Sequence, residues 1–415
     1  MSAPDPVLLV VPGRPGNAAG VDARTIAAAG LAAGLAHAYG AVTMVDGSGV
    51  RTVAEAEAGS VRAAAAPSST RGVVRRLPSF VRPALGDAAA LRADLDMRHR
   101  LDGAGHRRFG AVVQYHHRFQ RAGIDFARRR GIPVAVRVEA LEVAEESAWG
   151  VRRPGYGGWV ERVGEVDLLR RADLVLPVSD ELDRSLARMG IPDERRLVLP
   201  NGVDLTAFSP GPADDVIRRD LGAEGRFVVG WVGGFRPFHG LGLLEGFVDA
   251  LRALRPDAML CLLGGGPMRE ELERRAAALG PAVVVRGPAA HADVPRWIRS
   301  FDACVLFSDA AAFHYSPLKL AEYMACGRPV VAPAVGDLPG LLHDGRDAVL
   351  VPPADAPALA QAVAGIAADP ARAAHLGEEA RRTADATWSW DERARTIAEA
   401  LEGRRLVAVP GGRHG

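Results

Sequence analysis

Short unbroken apolar runs alternate along this chain with longer stretches in which apolar positions recur at helical spacing. Residues 7–11 (Val-Leu-Leu-Val-Val) predict a buried strand, 25–39 an alanine-rich helix stopped by Gly40, and 41–45 a second strand. Residues 111–115, 134–138 and 174–178 are further short apolar runs with polar helices between them. Runs apolar on both faces, separated by helices, are the pattern of a parallel sheet wrapped by helices. Residues 47–90 are less regular and read as loop and helix over the mouth of this domain. The pattern then restarts, with strands over 227–232, 259–263, 283–286, 303–307 and 329–332 and helices over 241–254 and 269–279. Between the halves lie Pro200-Asn201-Gly202-Val203-Asp204 and Phe208-Ser209-Pro210-Gly211-Pro212, whose Pro and Gly clusters mark a linker. The expectation is an α/β protein of two Rossmann-like, doubly wound domains facing a central cleft. The domains expected are 1–204, 205–385, and a C-terminal helix and tail over 386–415 that crosses back to the first. Ligands of such sheets bind beyond the carboxyl ends of the strands.

Composition narrows the partners. Lys plus Arg total 51 and Asp plus Glu 50, so net charge points to no nucleic acid. Cys261, Cys304 and Cys326 sit in apolar surroundings without pairing or metal spacing, and read as buried thiols in a reducing compartment. No apolar run approaches the roughly 20 residues that span a bilayer, and no cleavable leader is visible, so a cytoplasmic location is expected. Residues 62–108 hold ten Arg against four Asp without a clean amphipathic stripe. That leaves weak peripheral membrane contact open, as it leaves open a homodimer.

Three glycine-rich turns end strands of the second half: Gly233-Gly234, Gly264-Gly265-Gly266 and, after Arg286, Gly287-Pro288. Glycine there lets backbone approach a ligand and frees amides to donate. None matches the dinucleotide fingerprint or the Walker lysine motif. Lys319 is the only lysine in a chain that otherwise uses arginine for positive charge. It sits in 316–331, which reads as turn, helix start, helix, glycine stop and strand. A compact ammonium near a helix N-terminus suits a phosphate; the plainer reading is a surface lysine. Asp94-Leu95-Asp96 reads as a solvated helix face.

These residues together resemble the retaining GT-B glycosyltransferases of family four. Asn201-Gly202-Val203-Asp204 with Phe208 and Pro210 is similar to their linker. Gly233 to Gly240 is similar to their first phosphate loop, 263–269 to their second glycine segment, and 316–331 to their donor helix and following strand. The resemblance covers nearly the whole chain in order. It implies sugar transfer from a nucleotide-diphosphate sugar, uridine before guanosine, to a small-molecule or lipid-linked acceptor. It also implies retention of configuration, with no metal and no cofactor. It assigns catalytic roles to His116, Arg236 and Lys319. Donor contacts fall on Gly16, Gly233, Gly234, His239, Gly265, Arg286, Gly287, His314, Ser316, Pro317, Leu318 and Glu322, the last for the ribose hydroxyls. His117 and Glu139 would face the acceptor.

The chain departs from the family in places. The arginine often found directly after the loop's first glycine is Gly234, and the lysine before its last glycine is His239. Arg236 is the substitute expected, and a neutral or partly protonated His239 the weaker phosphate ligand. The first acid of the family's two-glutamate motif falls on His314. These departures keep two alternatives open: a nucleotide-sugar-binding protein altered in catalysis, and a nucleotide-sugar hydrolase or epimerase of the same fold.

Overall fold

The structure is a computed structural model that describes residues 5–13, 23–54, 81–104, 107–148, 150–309 and 318–405. Gly16, His314, Ser316 and Pro317, and much of the arginine-rich stretch, lie outside the described residues. The chain divides into two compact units, Met1–Pro200 with Trp390–Gly415, and Asn201–Ser389.

The first unit carries a six-stranded sheet. Its strands are β1 (Val7–Val11), β2 (Ala41–Asp46), β3 (Gly49–Ala54), β4 (Ala111–Tyr115), β5 (Val134–Val138) and β6 (Leu174–Pro177). Their order is β3-β2-β1-β4-β5-β6, and every pair is parallel except β2–β3. β1, β4 and β5 are buried along their whole length, which is why they read as apolar runs, interrupted only by Gln114 and Arg137. β3 corrects the loop-and-helix reading of residues 47–90. The Asp46 carboxylate accepts the amides of Ser48 and Gly49 at 2.7 and 3.2 Å and folds Asp46-Gly47-Ser48-Gly49 into a hairpin turn.

Asp94 is also corrected. It is buried on helix Val81–Gly103, and its Oδ1 accepts the amides of Arg121 and Ala122 at 2.6 and 2.8 Å. It caps helix Ala122–Arg130, whose own flanking residue Arg121 offers no cap. Asp96 is exposed.

Helix Trp390–Arg405 packs along helix Ala23–Tyr39. Two glycines one turn apart make this possible. A Cβ on Gly30 would lie 2.1 Å from the Trp390 ring nitrogen, and one on Gly34 would lie 2.4 Å from the Trp390 carbonyl oxygen.

The second unit carries β7 (Phe227–Gly234), β8 (Ala258–Gly265), β9 (Val283–Arg286), β10 (Ala303–Val305), β11 (Val330–Pro333) and β12 (Val349–Val351). All are parallel, in the order β12-β11-β10-β7-β8-β9. β12 escapes the sequence pattern because it is three residues at an edge, half-buried for two of them. Apolar clusters fill both faces of the sheet, one including Phe208, Phe301 and Tyr323, the other Trp231, Phe247 and Phe307. In each unit the chain reverses its direction of travel across the sheet at one strand pair, β1/β4 and β7/β10. Such a switch point opens a crevice at the strands' carboxyl ends.

Candidate active site

In the second unit the switch point is built by the loop after β7 and the segment after β10. The loop runs through Gly233, Gly234 and the short turn Pro237–His239 to Gly240. A Cβ on Gly240 would lie 2.6 Å from the Ser308 backbone, so the loop rests directly on the chain leaving β10. A second glycine segment locks it from the other side. The Phe235 amide donates to Gly265 O at 2.9 Å, and a Cβ on Gly264 would come within 1.9 Å of Gly233 O.

Helix Leu318–Ala325 brings Lys319 to this loop. Its Nζ lies 4.0 Å from the centroid of the Trp231 ring, a cation–π seat. A Cβ on Gly233 would stand 2.8 Å from that Nζ, so the glycine leaves the space the ammonium fills. The helix is tied to β7 by the Val232 amide, which donates to the Tyr323 hydroxyl at 2.6 Å. Burial pushes the Lys319 pKa down to about 7, against the opposing pull of Glu322. Arg236, on the same loop, makes no side-chain hydrogen bond or ion pair among the described residues, nor does Lys319. Both cations thus stand at the sheet switch point with no ion pair to a carboxylate among the described residues.

His239 sits edge-on to Trp231 and Phe238, with Nδ1 on the Gly234 carbonyl. Burial first, then the charges of Lys319 and Arg236, push its pKa down to about 2. The shift favours the neutral imidazole, one of the two states expected for it. Gly265 spends its carbonyl on the loop; Arg286 donates to the Asp220 carbonyl, and Gly287 faces the Arg269 guanidinium. Leu318 is half-buried at the head of the helix.

Glu322, one helical step beyond Lys319, is buried with Oε1 3.1 Å from His291 Nε2. His291 stands 5.3 Å from the Phe208 ring of the linker. Burial pulls the His291 pKa down, but the hydrogen bond and charge of Glu322, with Asp204 behind, outweigh it and the net shift is upward. Sequence reasoning missed His291, Trp231 and Tyr323. His291 lies in an unpatterned turn, and the two aromatics look like ordinary core.

In the first unit the switch point carries His116 and His117, directly after β4, both buried. His116 Nε2 lies 3.3 Å from Glu165 Oε1, an oxygen that also accepts the amides of Glu142 and Val143 at 2.7 and 3.3 Å. His117 Nδ1 is 3.4 Å from Glu142 Oε2. Around them Arg24, Arg118 and Arg153 are bound to Asp87, Glu139, Glu142 and Glu146. Arg24 reaches Glu139 at 3.7 Å and Glu142 at 3.3 Å, and Arg118 reaches Asp87 at 2.7 Å and Glu146 at 2.9 Å. Arg153 pairs with Asp87 at 2.9 Å and with Glu146. The distant Arg24, Asp87 and Arg153 gave no sequence signal for this network.

Comparison with known proteins decides the family. Residues 226–369 match the family described as glycosyl transferases group 1, and residues 27–207 match glycosyltransferase family 4. A GDP-mannose-dependent alpha-(1-6)-phosphatidylinositol monomannoside mannosyltransferase of Mycolicibacterium smegmatis is 33% identical over 286 residues, covering 67% of this chain and 72% of that protein. The chain belongs to the group 1 glycosyltransferases. A D-inositol 3-phosphate glycosyltransferase of Catenulispora acidiphila is 31% identical over 316 residues, covering 71% of this chain and 73% of that protein. Among solved structures, Anabaena HepE in complex with UDP-glucose superposes with a TM-score of 0.66 at 19% identity, covering 96% of this chain and 99% of HepE. Sucrose-phosphate synthase from Thermosynechococcus elongatus gives 0.69 at 23% identity, covering 98% of this chain and all of that one. At these identities the structures speak for the fold, two Rossmann-like units of the GT-B kind. This glycosyltransferase therefore has the class and the fold that its motifs implied.

Proposed function

We propose that the enzyme moves a sugar from a nucleoside diphosphate sugar to an acceptor hydroxyl, with retention of the anomeric configuration and without a metal. One observation carries the reading: Lys319 and Arg236 stand at the β7/β10 switch point with no ion pair among the described residues, and Glu322 lies on the same helix as Lys319. As the glycosidic bond to phosphate breaks, negative charge grows on the diphosphate. Preorganised cations and amides lower that barrier without a protein nucleophile. Glu322, held by His291 through one oxygen, keeps the other for the ribose hydroxyls. Gly233, Gly234, His239, Gly265, Arg286, Gly287, Leu318 and, beyond the described residues, Gly16, His314, Ser316 and Pro317 complete the donor set in this reading. His116 is assigned to the sugar near the reacting carbon, and His117 and Glu139 to the acceptor. Retention rests on the family kinship. The acceptor is a small polyol or its lipid-linked form, by analogy with the inositol-based acceptors named for the two relatives.

The test is a thermal-shift panel of nucleoside diphosphates in the presence of a chelator. The relative whose name states a donor uses GDP-mannose, so guanosine stands beside uridine in that panel. A nucleotide at 100 times its dissociation constant is expected to add about 2.7 kcal/mol of stability. No shift with any base, or a shift only after a divalent ion is added, overturns the reading. Proton NMR of the product's anomeric coupling then decides retention.

A further inference from the structure

The loop that carries the histidines of the first unit continues to Phe119, whose φ is 65°. A left-handed backbone is costly for a bulky residue and persists only where its surroundings enforce it. The Phe119 amide donates to Gly164 O at 2.9 Å, and its ring lies 3.2 Å from where a Cβ on Gly164 would stand. Gly164 belongs to a π-helical turn, Arg162–Val166, a second uncommon backbone, of a kind that often accompanies binding sites. Both features wall one cavity of about 380 Å³, lined by Leu91, Leu95, Phe119, Trp159 and Val163 with Arg121 beside them. Trp159 is 51% exposed, Leu91 45% and Leu95 57%. Large apolar side chains gathered in the open, in contact with a concave apolar wall, mark an interaction surface.

Charge says what covers it. Asp94 and Arg98 also line the cavity, but they are committed to each other, to Asp125 and to the helix cap. Arg121 is not: its side chain has no hydrogen bond or ion pair among the described residues, and its Nε is shut off from solvent. A second copy of the chain meeting this patch about a two-fold axis would bring another unpaired Arg121 towards the first. A hydrocarbon chain with an anionic head satisfies both the apolar wall and the lone guanidinium. We infer that this cavity docks an anionic phospholipid of a bilayer, its acyl chain on Leu91, Leu95, Phe119 and Trp159 and its phosphate on Arg121. A half-exposed tryptophan is the side chain best suited to that interface. The inference does not depend on the transfer reaction.

The experiment is co-sedimentation of the full chain with vesicles of phosphatidylcholine alone or mixed with phosphatidylglycerol. Binding to the mixed vesicles is expected, with a blue-shifted tryptophan emission that Trp159→Phe removes. Trp159→Ser and Leu95→Asp are each expected to weaken partitioning at least about tenfold. Arg121→Gln should weaken it about fivefold. Leu95, the most exposed of the three, remains the informative position if Trp159→Ser fails to fold. Failure to bind mixed vesicles overturns the inference. So does binding that all three substitutions leave unchanged, which would assign it to the other arginines. Lipid-independent dimerisation that Leu95→Asp abolishes would give the face to a second copy instead.

Discussion

The two switch points solve opposite problems with charge. In the first unit the buried Arg24, Arg118 and Arg153 are bound to the buried Asp87 and Glu142 and the half-buried Glu139 and Glu146, around His116 and His117. In the second, Lys319 and Arg236 stand at a loop of glycines with no carboxylate bound to either among the described residues. A buried network whose members satisfy each other is a scaffold, because removing one partner strands another charge in a medium that cannot solvate it. A half-buried cation without an ion pair carries a desolvation cost, which Lys319 meets in part through Trp231 and Glu322 and in part through a lowered pKa. The contrast separates rigidity from readiness within one chain.

The largest effect that tests this contrast is on stability. Arg118→Leu removes one of the two arginines bound to each of Asp87, Glu142 and Glu146, and urea denaturation is expected to show a loss of about 3 kcal/mol. A loss below about 1 kcal/mol would mean the network is no scaffold. Lys319→Met should do the reverse, raising stability by about 1 kcal/mol while removing turnover, the usual trade at a functional charge. Its rate loss is expected at about 100- to 1000-fold, in kcat rather than in donor affinity. Lys319→Arg should fall with it, because Trp231 and Gly233 shape a seat for a narrow ammonium. Parent-level activity in Lys319→Arg would make the lone lysine an accident.

A pH series sharpens the comparison further. The free lysine has a pKa of about 7, and a bound diphosphate raises it. Below about pH 7 both states carry the proton, so nucleotide-sugar affinity should be flat. Above it, binding must take up a proton, and affinity should fall by up to about tenfold per pH unit. Calorimetry across that range checks the sign, and Lys319→Met should abolish the slope. The smallest effect expected is at His291. His291→Phe frees the Glu322 carboxylate to rotate and should weaken the ribose-intact donor by about 1 kcal/mol. A donor lacking the 2′-hydroxyl should lose less. Equal losses for both donors would assign His291 to packing alone.

Much of this molecule is legible in its sequence for plain reasons. β1, β7 and β8 are apolar on both faces, and β4 and β5 nearly so, with Gln114 and Arg137 the exceptions, so their runs stand out. Glycines that end parallel strands mark where backbone must come close, and a single lysine among arginines stands out by composition. The hairpin strand β3 was missed, because its largely exposed positions form no apolar run like those of the central strands. Asp94 was not legible, since the amides it caps lie 27 and 28 residues away.

By itself, then, the sequence determined the periodic features, namely the parallel strands and the order of the glycine-rich loops between them. These depend on neighbours a few positions apart. Tertiary structure alone decided that Gly30 and Gly34 admit Trp390, that Trp231 seats Lys319, and that His291 grips Glu322. It also decided that the charges at the first unit's switch point are bound to one another, while Lys319 and Arg236 at the second unit's make no ion pair among the described residues. Those outcomes turn on burial and on distances of a few ångströms between residues remote in the chain. A charge's worth depends on what solvates it, and only the folded arrangement sets that.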